Sequence, residues 1–366
     1  MSETPKLPLA GIRVIEMGSV IAAPFCASLL ADLGAEIIKI ERPDGGDPFR
    51  GMSPRVHDVP LWWGVASRNK SCVSMDLKNP VDKRRFEILI AGADIFIENN
   101  RPGVLDRLGL GWDALSRINP GLIMLSISGY GQTGPAALRP GFGKIAEAMS
   151  GQVALTGDAA ATPFHIGLSL ADTATGLTGL FGVAVAMFAR ETLGDGRGAY
   201  VDVALYESLM RMLDCQFALT DALGAAPARQ GTNNPYGWGV PAEETPKILS
   251  YRCADGAWLA LLAGDDDKAT EVEGMPIAAF IAARPAAVAL QRLRQAGVEA
   301  VRVQDGASMA AEAYFLQRGD VVNSPHPIFG QLSVPGYVPH GYETSALRAF
   351  HTPEVGECDV MAFIVK

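Results

Sequence analysis

Along the first third of the chain, short apolar runs alternate with longer segments whose apolar positions recur at helical spacing. Residues 12–17 and 36–40 are runs rich in isoleucine and valine, and 22–33 between them carries a helical pattern that Gly34 ends. This predicts a strand, a helix and a second strand. The alternation continues with a strand at 72–77, a helix over 81–91 opened by Pro80, a strand at 93–97, a helix over 112–118 and a strand at 122–128,. Strands that are apolar at nearly every position are buried on both faces. The pattern therefore predicts an α/β fold with a doubly wound, mostly parallel sheet covered by helices on both sides. A helix over 173–190, a strand at 199–203 and a helix reaching 223 extend it. Residues 251–262 read as a hairpin around Asp255-Gly256, followed by a helix over 284–296 and a strand at 299–303, which together make a small α+β unit,. The segment 224–244, rich in glycine, proline and asparagine, reads as a linker,. The expected organisation is a Rossmann-like large domain over 1–223, the linker, and a small domain over 245–324.

Composition narrows the function classes. With 366 residues, 48% of them hydrophobic, the chain is long enough for two cores,. Its five cysteines form no Cys-x-x-Cys pair, which argues against a disulfide framework or a zinc ribbon and fits a reducing, cytoplasmic setting,. The five histidines show no ligand spacing, so no metal is expected,. The N-terminus lacks a basic stretch followed by an apolar one, and the apolar run at 176–189 stops at Arg190-Glu191. Neither export nor a membrane span is expected. A net charge of −9 argues against nucleic acid as a partner,. Residues 39–107 nevertheless hold a slight excess of lysine and arginine, read either as a docking area for an anionic small molecule or as solvated surface,. The turn after the first strand, 18–24, has no Gly-x-Gly-x-x-Gly, so NAD is not expected,.

One carboxylate stands out. Asp172 lies between the run His165-Ile-Gly-Leu-Ser169 and an apolar helical segment. At such a junction an aspartate is either a helix cap or a nucleophile, and the residues alone leave both readings open.

Several blocks, in this order and spacing, resemble the class III CoA-transferase family, which includes formyl-CoA transferase, carnitine CoA-transferase and α-methylacyl-CoA racemase. They are Gly11-Ile-Arg-Val-Ile-Glu16, the segment 30–43 with Gly45-Gly-Asp-Pro48, Arg68-Asn-Lys-Ser71, Asp76-Leu-Lys78, Glu98-Asn-Asn-Arg-Pro-Gly103, Ser128-Gly-Tyr-Gly-Gln-Thr-Gly-Pro135, the stretch 167–176 around Asp172, and Gly196-Arg-Gly198. The resemblance is dense from 8 to about 215. It implies CoA transfer from an acyl-CoA to a small carboxylic acid, with Asp172 passing through a mixed anhydride and an aspartyl-CoA thioester. No tightly bound cofactor is then needed, coenzyme A entering as part of the substrate. It further implies CoA contacts at Arg42, Lys70, Asn99, Arg107, Val20 and Leu77, and substrate contacts near Phe142, Gly143, Lys144 and His165, although the favoured reading of the last is a structural, hydrogen-bonding histidine. The implied assembly is an interlocked homodimer whose large domain is completed by the tail 325–366, since His351-Thr-Pro-Glu-Val355 resembles the family's closing block. Two departures matter. Phe142 stands where the racemases carry a histidine, which disfavours α-proton exchange, and Gly143 stands where many transferases carry an acid. A racemase or isomerase, or a non-catalytic CoA-binding partner subunit, are the alternatives.

Overall fold

The computed structural model describes residues 7–231, 247–263, 271–341 and 353–364. Most of the expected linker, 232–244, with the first two residues of the expected small domain, and the start of the closing block, 351–352, lie outside the described residues.

Six strands form one sheet: β1 (Arg13–Met17), β2 (Glu36–Glu41), β3 (Lys70–Ser74), β4 (Ile95–Glu98), β5 (Ile123–Ser128) and β6 (Tyr200–Ala204). Their order is β3-β2-β1-β4-β5-β6, and every neighbouring pair is parallel. The expected doubly wound sheet is therefore present. Its direction of winding reverses between β1 and β4, and in such sheets ligands bind in the crevice outside the carboxyl ends of the strands at that reversal.

The strands read as continuous apolar runs because each face has its own core. Val14, Ile37, Ile95, Ile97 and Leu125 point to one side, toward helices α1 (Ala22–Asp32) and α4 (Leu170–Thr192). Their alternating neighbours Ile15, Ile38, Phe96 and Met124 point to the other, toward Phe86, Leu89 and Ile90 of α2 (Pro80–Ala91),. Val360 and Phe363 of the chain's end join this second core. Asn79 caps α2 through its side-chain oxygen on the Val81 amide, and Pro80 occupies a position where no intrahelical donor is required,. One strand is displaced from the sequence reading. The pattern 72–77 ends as a loop, because Met75 and Leu77 are apolar contacts to the second core rather than sheet residues.

Helix α4 is long and apolar enough to cross a membrane by length and composition. Here one face of it packs on α1 and on β5. Gly176 makes the first contact possible: a β-carbon there would lie 2.8 Å from Phe25 Cδ1 and 3.0 Å from the Ala22 carbonyl oxygen. The opposite face is apolar and exposed at Leu177, Phe181, Val185 and Phe188.

The contacts divide the chain into two units. The first holds 1–152, 166–213 and 316–366, and includes α3 (Gly143–Met149) and α5 (Leu205–Arg211). The second holds 153–165 and 214–315. Within it, β7 (Lys247–Arg252), β8 (Trp258–Ala263) and β9 (Ala300–Arg302) form an antiparallel sheet in the order β9-β8-β7. Two helices, α6 (Ile277–Ala282) and α7 (Ala286–Gln295), cover it, and Leu259, Leu261, Phe280, Ile281 and Leu293 fill the core between. The Asp255-Gly256 turn joins β7 to β8, with Gly256 at φ +84° where an L side chain would be strained,.

Candidate active site

A cavity of about 350 Å³ opens at the carboxyl ends of β1, β4 and β5, in the first unit. Ser19 and Val20 follow β1, Asn99 follows β4, Ser128 and Gly129 end and follow β5, and Asp172 reaches in from α4.

The helix carrying Asp172 starts earlier than its pattern predicts. Ser169 is the N-cap residue and makes no side-chain cap bond, while Leu170 and Ala171 are already helical. Asp172 is thus the third residue of the first turn and not the cap residue, and its carboxylate, which accepts from its own amide N–H, faces the cavity. It lies against the first turn of α3. A β-carbon at position 143 would collide with Asp172 Oδ2, so Gly143 is the residue that lets the carboxylate seat there.

Burial pushes the Asp172 carboxyl up, and the neighbouring Glu147 carboxylate pushes further; Lys144 and Asp172's own amide N–H pull the other way. The net result is a value of about 6,. About nine-tenths of the groups are then ionised at pH 7, with a proton affinity well above that of a solvated aspartate. Glu147 itself has no exposed surface. Both its carboxylate oxygens accept from Lys144 Nζ, at 3.0 and 2.9 Å, and the same ammonium donates to the carbonyls of Ile166 (2.9 Å) and Leu168 (2.7 Å).

The opposite wall is a tightly held turn. Asn99 binds Ser19 twice, its Oδ1 accepting from the Ser19 amide and its Nδ2 donating to the Ser19 carbonyl, both at 2.8 Å. Val20 adopts φ +64°, a conformation costing a β-branched residue on the order of 1–3 kcal/mol,. Asp47 Oδ1 accepts from its amide at 3.1 Å and helps to hold it. Beneath the turn lies a closed ionic network with no exposed side-chain surface beyond a trace at Asp47. Lys39 Nζ pairs with Glu16 Oε1 (2.6 Å) and Asp47 Oδ2 (2.9 Å) and donates to the Gly18 carbonyl (2.8 Å). Lys70 Nζ pairs with Glu16 Oε2 (2.8 Å) and donates to the Pro24 carbonyl (2.7 Å). Burial alone would raise Glu16, but the two ammonium groups outweigh it and hold the carboxyl below its usual range.

The structure brings Asp172, Val20, Asn99, Phe142, Gly143 and Lys144 around one cavity. Arg42 and Leu77 line a smaller one of about 200 Å³, also at the carboxyl end of the sheet, together with Lys78 and Leu108. Arg107, one residue before Leu108, is exposed. Lys70, expected among the CoA contacts, is instead sealed under the β1 turn, because the parallel register sets β3 beside β2 and directs its ammonium to Glu16. His165 is an exposed residue of the second unit. Sequence reasoning missed Glu147, Ser19, Ser128 and the Glu16–Lys39–Asp47 set. Only the Lys144-x-x-Glu147 spacing was a usable signal, and on a short helix it reads as a solvated pair. Among the described residues, no group of three or more His, Cys, Asp or Glu side chains is arranged to hold a metal ion.

A parallel sheet in this strand order, with a cavity at its reversal point, defines a doubly wound α/β protein. The chain belongs to CoA-transferase family III, whose model matches residues 9–275. It is 45% identical over 266 residues to the succinyl-CoA–L-malate CoA-transferase β subunit of Chloroflexus aurantiacus, a match covering 72% of this chain and 63% of that one. Against the succinyl-CoA–D-citramalate CoA-transferase of the same organism the identity is 32% over 384 residues, covering 97% and 93%. The chain thus spans less than two thirds of the first relative's length and nearly all of the second's. Its fold matches the crystal structure of a CaiB/BaiF family protein from Brucella suis with a TM-score of 0.81 at 26% identity, over 96% of this chain and 97% of that one.

Proposed function

We propose that this chain transfers CoA from an acyl-CoA to a free carboxylic acid, with Asp172 as the nucleophile. The observation that carries the reading is the Asp172 carboxylate itself, facing a cavity at the sheet's reversal point with its proton affinity raised but still ionised at neutral pH.

In the proposed reaction an Asp172 oxygen adds to the thioester carbonyl, and the tetrahedral adduct collapses by breaking the C–S bond. This gives an acyl-aspartyl anhydride and CoA thiolate. The thiolate then adds to the aspartyl carbonyl of the anhydride, which expels the donor acid as a carboxylate and leaves an aspartyl-CoA thioester. The acceptor carboxylate attacks that thioester, and the freed thiolate attacks the acceptor carbonyl of the new anhydride. Acyl-CoA leaves and the Asp172 carboxylate is regenerated. Every step exchanges one acyl–oxygen or acyl–sulfur bond for another, so the sequence calls for positioning and desolvation rather than redox chemistry. A carboxylate is a weak nucleophile in water, and holding it about 3–3.5 Å from a bound thioester supplies much of what solution lacks.

For the CoA moiety we assign the exposed guanidinium groups of Arg42 and Arg107 to the phosphates and Leu77 to the apolar surface beside them,. Val20 and Asn99 are assigned to the pantetheine arm. Succinyl-CoA as donor and a short dicarboxylic acid as acceptor are the substrate classes that the relatives' activities support. Pairing of two copies belongs to the same reading, supported by the exposed stripe Leu177, Phe181, Val185 and Phe188 on α4.

Borohydride trapping tests the nucleophile. After incubation with succinyl-CoA, mass spectrometry of the reduced protein is expected to find modification confined to the peptide containing Asp172. Transfer activity that survives in Asp172→Ala would refute the reading.

A further inference from the structure

Resting on that reading, we infer that Glu147 is a positioning residue for Asp172: clamped by Lys144, it fixes where the nucleophile sits and places a buried negative charge beside it. Three observations meet here. Gly143 leaves no side chain between the Asp172 carboxylate and α3, so the carboxylate rests directly on the first turn of the helix that carries Glu147 one turn later. Both acids line the same cavity, and Glu147 is wholly buried. Lys144 Nζ, bound to both Glu147 oxygens, also holds the Ile166 and Leu168 carbonyls, and this ties the segment entering α4 to α3 immediately before Asp172.

The charge balance around Asp172 is therefore local. The Lys144 ammonium, which pairs with Glu147, is partly spent on two carbonyls. The other elements packed on α4 add little. From α1, Asp32 pairs with Arg68; from β6, Asp202 accepts from the Gln132 amide; from α5, Glu207 accepts from the Ala204 amide and Arg211 is exposed. On α4 itself, Arg190 and Glu191 lie five turns away at the far end,. Removing the Glu147 charge leaves Lys144 facing Asp172 unopposed, and Asp172 should then release its proton more readily and become less basic. A carboxylate that is less basic is a poorer nucleophile, so the rate above the titration should fall as well.

The test compares Glu147→Gln and Glu147→Asp in the full chain. The acid limb of kcat/KM for succinyl-CoA, expected near pH 6 in the natural protein, should move down by about one pH unit in Glu147→Gln, with kcat at pH 7.5 reduced about 10- to 100-fold,. Glu147→Asp, which keeps the charge, should restore the position of the limb. A separate readout needs no turnover: the Asp172 side-chain carbon, followed by 13C NMR against pH, should titrate lower in Glu147→Gln and not in Glu147→Asp. Unmoved Asp172 titration in Glu147→Gln would overturn the inference even if activity is lost, since a purely structural role costs rate without moving the titration. If the natural protein gives no borohydride-trapped adduct, the nucleophile reading fails. The NMR titration still decides the Glu147–Asp172 coupling.

Discussion

Two clusters of charged side chains lie at the same end of the sheet, and they behave oppositely. Under the β1 turn, Glu16 and Asp47 face Lys39 and Lys70: two anions, two cations, every ammonium also on a backbone carbonyl. Across the cavity, Asp172 and Glu147 lie near Lys144, whose ammonium pairs with Glu147. Burial is complete in the first; in the second it is complete for Glu147 and partial for Asp172 and Lys144. In the balanced set the cations overcome it and the carboxyl groups are held below their usual range; in the unbalanced set burial and the second carboxylate win, and Asp172 is held above it,. Desolvation is thus common to the two, and counter-charge stoichiometry decides the sign. A balanced cluster builds the wall. The other raises the proton affinity of Asp172.

The largest expected effect is on rate. Asp172→Ala should lower kcat by about 10⁴-fold or more, upward of about 5 kcal/mol in transition-state stabilisation, in a steady-state transfer assay. Retention of more than a hundredth of the activity would place the reactive group elsewhere. The counterpart in the balanced cluster is Lys39→Met. It leaves Glu16 and Asp47 buried with one ammonium between them, and breaking such a pair costs about 3–5 kcal/mol, measured as a shift of the urea midpoint at pH 7,. A midpoint unchanged by the substitution would show that water reaches the network.

The same contrast explains what the sequence disclosed. The sheet was legible because strands buried on both faces are written as unbroken apolar runs, as in Ile95-Phe-Ile97, and because each is followed by a helical repeat,. The network beneath the turn was not. Glu16 and Lys39 sit directly opposite each other only once β1 and β2 pair in parallel register, and a single lysine such as Lys70 looks alike whether its partner is a phosphate or a glutamate on another strand. Asp172 was found through the blocks around it rather than through its own surroundings. The start of its helix was misplaced by three residues because Leu170 and Ala171 are as compatible with an extended run as with a first turn. Glu147 stayed hidden because nothing local tells a lysine–glutamate pair in solvent from one closing a cavity.

Gly143 offers a milder way to disturb the unbalanced cluster. In Gly143→Ala the new methyl group occupies the place of Asp172 Oδ2, so the carboxylate must swing away from α3 while its charge environment is retained. A displacement near 1 Å costs on the order of 10²-fold in rate. The expected result is a fall in kcat of about that size with the acid limb nearly in place, which separates geometry from electrostatics. A limb displaced as far as in Glu147→Gln would mean that the two cannot be separated at this site.

The smallest effect is on stability, and its sign is the sharpest test of the contrast. A carboxyl raised to about 6 in the folded protein, against 3.8 for the ordinary group, binds protons more tightly folded than unfolded,. Its contribution to stability is present in full below pH 4 and is lost as pH rises through 6, so at neutral pH the ionised Asp172 destabilises the fold. After allowance for its partial exposure this amounts to about 1–2 kcal/mol. Asp172→Asn should therefore abolish transfer while making the protein more resistant to urea at pH 7.5, and the gain should disappear at pH 4. Glu16 and Asp47 have the opposite linkage: their stabilisation is present above the unfolded value and is lost as acid protonates them,. A variant that is equally stable or weaker at pH 7.5 would mean that the Asp172 charge is compensated after all, and that the asymmetry between the two clusters does not extend to their energetics.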